Sequence, residues 1–138
     1  MIRAGKYGLS VDVPLPFDQA REKAIAALKE QGFGVLTEID VKATMKQKLD
    51  VDFRKYSILG ACNPPLAHRA LSAETEIGLL LPCNLIVYEQ EKDAKTSTVA
   101  AIDPEVQLGK VGRPELAEVA REVKDRLRRV LEGVQAGS

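Results

Sequence analysis

Residues 56–84 read YSILGACNPPLAHRALSAETEIGLLLPCN, and this stretch divides into strand, helix and strand. Tyr56 to Cys62 is apolar on both faces, the composition of a strand that is buried on two sides and therefore central in a sheet. Asn63-Pro64-Pro65 supplies an N-cap and first-turn prolines, so the strand ends in a helix that runs through Leu71. Past Leu79-Leu80-Leu81-Pro82, the segment Cys83 to Tyr88 returns to the Leu, Ile and Val composition of a strand.

Upstream, Tyr7, Leu9, Val11 and Val13 alternate with Gly8, Ser10 and Asp12, the period of a strand with one buried face. Pro14 and Pro16 end it. Phe17 to Gln31 follows with Phe17, Ala20, Ala24, Ala27 and Leu28 on one helical stripe and Gly32 placed as a C-terminal cap. Phe33, Val35, Thr37 and Ile39 alternate again, which puts Glu38 and Asp40 on the opposite, solvent-facing side of a second strand. Val41, Met45 and Leu49 recur every four residues and predict a short helix with lysines around it.

Downstream, Thr96 to Ile102 forms a hairpin with Cys83 to Tyr88 across a polar turn at Glu91 to Lys95. Asp103 to Arg113 reads as a loop. Pro114 opens a long helix to about Glu132, in which Leu116, Val119, Ala120, Val123, Leu127, Val130 and Leu131 keep three-four spacing. Helices do not alternate regularly with strands, so the expected class is α+β: an antiparallel sheet of about five strands, with the N-terminal helix and the long C-terminal helix on one face and minor helices inserted. In such a meander the end of one strand lies beside the start of the next, bringing Cys62 and Cys83 to one rim of the sheet.

The chain has 138 residues, a length that fits one domain over 1–138. Hydrophobic residues make up 45% and charged residues 29%, values that exclude disorder and a disulfide scaffold. The 20 basic and 20 acidic residues cancel, which removes the electrostatic footprint of a nucleic-acid binder. With three Tyr, three Phe and no Trp, base-stacking platforms are also poorly supported. No apolar run approaches the roughly 20 residues of a membrane helix. No secretory signal is recognisable, so the expected location is cytoplasmic, where two cysteines without Cys-x-x-Cys spacing stay reduced.

Cys62 precedes the N-cap Asn63, a place where helix-start amides and the helix dipole lower a thiol's pKa and attract anions. Cys83 is a candidate resolving thiol. His68, the single histidine, lies one turn down the helix from Pro64. Together Cys62, His68 and Cys83 have the chemistry of a soft-metal site for zinc or copper(I), with Glu38 or Asp103 as fourth ligand, although the spacing matches no standard zinc motif. The expected function is a small-ligand or anion binding module, for a small anion, a thiol compound or a soft metal, at a rim formed by Cys62, Asn63, His68 and Cys83, with Glu38 and Asp103 nearby. Two alternatives stand beside it: a thiol-based redox or sulfur-handling protein using Cys62 with Cys83, and a structural or interaction domain in which both cysteines only pack. No particular cofactor is implied. Gly109-Lys110-Val111-Gly112-Arg113 is glycine-rich and basic, but it lacks the Walker pattern and reads as a connection.

The 56–84 stretch, with Gly32 to Asp40 and Ala101-Ile102-Asp103-Pro104, resembles the bacterial and archaeal family known as domain of unknown function 302. The resemblance covers nearly the whole chain. It implies a fold like that of the TATA-binding protein, without that protein's DNA chemistry, and a homodimer, and it implies no established activity.

Overall fold

The computed structural model describes residues 1–108 and 111–136. The chain runs β1 (Arg3–Ala4), β2 (Gly8–Val13), α1 (Phe17–Glu30), β3 (Gly34–Asp40), α2 (Val41–Leu49), β4 (Tyr56–Cys62), α3 (Pro64–Ala73), a 3-10 turn (Thr75–Leu80), β5 (Cys83–Gln90), β6 (Asp93–Ile102), α4 (Pro104–Leu108) and α5 (Pro114–Gln135). One antiparallel sheet holds six strands in the order β1-β2-β6-β5-β4-β3. The α+β class is as expected. The sixth strand is the two-residue β1, paired through Arg3↔Ser10 and Ala4↔Leu9, too short to leave a periodic signal. Within the expected loop, Pro104 starts the short helix α4, and the Asp103 carboxylate accepts the Glu105 N–H at 2.9 Å.

The helix stripes read from the sequence form the core. Ala20, Ala24 and Leu28 of α1 and Leu116, Leu127 and Leu131 of α5 are buried with Val11, Leu59, Leu85, Val87 and Val99 of the sheet. Gly32 caps α1 at φ +84°. Its N–H donates to Lys29 and that of Phe33 to Leu28, the paired bonds of a Schellman end. By contrast, α2 contributes no buried residue. Among the described residues no helix is long and apolar enough to cross a membrane.

On strand β3 a bulge corrects the expected facing. The register passes from Val35↔Ala61 to Thr37↔Gly60, so Glu38 pairs with Leu59 and Ile39 with Ile58. Cross-strand partners share a face, and Leu59 is a core residue. One inserted residue therefore turns Glu38 to the helix side and Ile39 to the open side. There Glu38 meets Arg21 of α1, whose Nε donates to it at 2.7 Å, and the Ser57 hydroxyl, which donates at 2.8 Å.

Candidate functional site

The end of β4 and the start of β5 meet through the pair Ala61↔Cys83, with Cys62 paired to Gly34 on the other side. Cys62 and Cys83 therefore do share one rim. Successive residues of a strand point to opposite faces, so Cys62, one residue beyond the Ala61↔Cys83 pair, directs its Cβ away from that of Cys83. Both cysteines are free and half-buried, and divergent Cβ vectors oppose a bridge between them without backbone movement. Burial, with a smaller effect from neighbouring Cys62, pushes the Cys83 thiol up to about 11, so it stays protonated at neutral pH. Its sulfur lies 4.0 Å from Gln107 Oε1, and Gln107 Nε2 donates to the Leu80 carbonyl.

Asn63 is the N-cap of α3, its Oδ1 accepting the Leu66 N–H at 3.2 Å, and it is buried. The helix start is nonetheless closed to anions. Pro64 and Pro65 have no N–H, the Leu66 N–H is taken by Asn63 Oδ1, and the Ala67 N–H donates to the Asn63 carbonyl at 2.8 Å. The anion and the helix-start activation of Cys62 expected from the sequence thus lack their donors.

The remaining candidates are held elsewhere. His68 is exposed on α3 and is not among the residues around the two cysteines. Glu38 is engaged by Arg21 and Ser57, and Asp103 by Lys124 at 3.0 Å. Among the described residues no three His, Cys, Asp or Glu side chains are grouped so as to hold a metal ion. The set Cys62, His68, Cys83 with Glu38 or Asp103 is not assembled. Of the glycine-rich stretch, Gly109 and Lys110 lie outside the described residues, and Arg113 pairs with Glu74 at 3.3 Å.

What the rim does enclose is a cavity of about 340 Å³. Its wall combines Phe33 and Leu36 from the β3 side, Ala61, Cys62, Leu66 and Ala70 from β4 and α3, Pro82 and Cys83, Leu108 of α4, and Val119 and Val123 of α5. No charged side chain is among these described lining residues; Thr37, Cys62, Asn63 and Cys83 are the polar ones. The sequence named the two cysteines and Asn63 but missed the apolar wall, because its residues come from six separate segments and share no local pattern.

A family model, Domain of unknown function DUF302, matches residues 9–134, and the chain belongs to that family. It is similar to the crystal structure of an uncharacterized conserved DUF302 protein from Bacillus stearothermophilus, with a TM-score of 0.85 and 30% identity over 95% of this chain and 100% of that one. No curated protein matches the chain.

Proposed function

We propose that this protein binds an uncharged, apolar small molecule in the cavity between α3, α5 and the Cys62–Cys83 rim. The observation that supports this most is the wall itself: a half-open cavity of about 340 Å³ lined mainly by apolar side chains, with no charged residue among the described lining ones, in the size range of ligand sites. Removing an apolar molecule from water into such a wall is favourable at roughly 25 cal/mol per Å² of apolar surface, whereas an anion would lose its hydration with no cation among the described lining residues to offset the loss. The Cys83 thiol serves as a weakly polar wall atom, an assignment that fits its raised pKa.

The neutral fluorophore N-phenyl-1-naphthylamine tests the reading. Saturable enhancement with the native protein is expected, with loss on Ala70→Phe, which fills the cavity from α3, and weakening on the milder Ala67→Leu. Absence of saturable binding, or binding that neither substitution alters in a folded protein, would overturn it.

A second reading concerns the mouth. Leu36 and Leu71, both lining the cavity, are 68% and 41% exposed, and exposed leucines at the rim of an apolar hole suit the self-complementary pairing of a two-fold dimer. Sedimentation of native protein and of Leu36→Ser tests it: a dimer that Leu36→Ser dissociates supports this seat, and a monomer at all concentrations sinks it.

A further inference from the structure

We infer a second binding site, on the opposite face of the sheet, for a planar aromatic molecule bearing a carboxylate. A groove of about 300 Å³ lies there between the Gly5–Tyr7 loop and strand β5. Its floor is the open sheet face. Ile86 pairs with Ala100 and Ala100 with Ser10, so these three side chains stand in one cross-strand row.

Both walls are fixed. On one side the loop is tied down at each end, the Gly5 N–H donating to Gly8 at 2.7 Å and the Asp103 N–H to Tyr7 at 3.0 Å. Position 8 has no room for a side chain, since a Cβ there would collide with the Ala101 carbonyl. On the other side Tyr88 is backed by Tyr56, with ring centroids 5.3 Å apart and planes 13° from parallel. A groove floored by Ser10, Ala100 and Ile86, with an aromatic ring at one wall, suits a planar ring system.

Charge and hydrogen bonding set the rest of the ligand. Among the described lining residues Lys6 alone is charged, with its Nζ 5.8 Å from the Tyr7 ring centroid. The neighbouring cations are engaged: Arg3 is bound to Asp12 at 2.8 Å, and Arg54, 5.5 Å from the Tyr88 ring centroid, pairs with Glu91 at 3.7 Å. Asn84, exposed on β5 one residue before the Leu85↔Ala101 pair and so level with Gly8, offers an amide at the same end of the groove as the Gly5–Tyr7 loop. A carboxylate is thus drawn to the Lys6 end, while the ring covers Ile86 and Ala100.

The test is a nitrogen-15 NMR titration of the full chain with 2-naphthoate and, separately, the neutral 2-naphthylmethanol. Saturable shifts are expected for Gly5–Ser10, Asn84–Tyr88 and Ala100–Ile102. Lys6→Gln, at an exposed position, is expected to weaken naphthoate by about 1.5-fold to fivefold, the range of a solvent-exposed ion pair, and to leave the alcohol unchanged. Ala100→Leu raises the floor and is expected to weaken both ligands. Shifts confined to the Cys62–Cys83 cavity, equal effects of Lys6→Gln on both ligands, or a dimer whose interface covers Ile86 would overturn the site. Because the two sites lie on opposite faces of the sheet, loss of one leaves the other standing.

Discussion

Arg21 of α1 and Glu38 of β3 form a two-pronged ion pair across the helix-covered side of the sheet edge, Nε to Oε2 at 2.7 Å. The bulge between Val35 and Thr37 creates this contact, because without the extra residue Glu38 would face away from α1. The pair fastens the first helix to an edge strand whose own side chains are mostly exposed.

Acid should undo that fastening. Hydrogen bonding from Arg21, opposed by partial burial and helped by Ser57, holds the Glu38 carboxyl below its ordinary 4.5. A lowered folded-state pKa means stability that is fully present above the ordinary value and is lost as pH falls through the folded one. Urea unfolding of native protein and Glu38→Gln should therefore differ at pH 7 and converge toward pH 3. A difference independent of pH would show that the carboxylate charge contributes nothing.

Asn63 should matter through the helix it starts. Asn63→Ala removes the cap from Leu66 and is expected to cost about 1–2 kcal/mol. Gly32→Ala should also destabilise, by ~1 kcal/mol or more, because φ is +84° and the new methyl would stand 3.0 Å from Asn63 Nδ2. Denaturant midpoints measure both; unchanged midpoints would remove the cap from the account of this rim.

Cys83 should be slow to alkylate. With its thiol pushed up to about 11 by burial, native protein treated with iodoacetamide at pH 8 should lose Cys83 far more slowly than urea-unfolded protein, by peptide mass spectrometry. Rapid native labelling would contradict the packed assignment and return Cys83 to the redox alternative.

The core and α2 should answer substitution differently. Leu28→Ala, at a site with no exposure, is expected to cost ~2–5 kcal/mol. Leu49→Ser, 66% exposed on a helix that buries nothing, is expected to stay within about 0.5 kcal/mol. Thermal unfolding of the two variants compares them directly, and a large loss at Leu49 would mean that α2 has a docking partner.

Much of this molecule was legible in local patterns. Period-two alternation marked β2, three-four spacing marked α1 and α5 with their buried faces, and Asn63-Pro64-Pro65 marked the start of α3. These features depend on neighbours a few residues apart, so the chain order displays them. The two prolines even carried the sign that the helix start offers no amide to an anion, though its weight emerged only with the Leu66 and Ala67 bonds in place.

Tertiary structure decided what the sequence could not express. A single bulged residue reversed the faces of Glu38 and Ile39, the helix turn carried His68 outward while Leu66 and Ala70 turned in, and the fold gathered Phe33, Leu108 and Val123 around one cavity. Element identity follows from short-range periodicity, which the order of residues displays; a site depends on which distant segments close against one another, and that closure is set by the packing of the whole core.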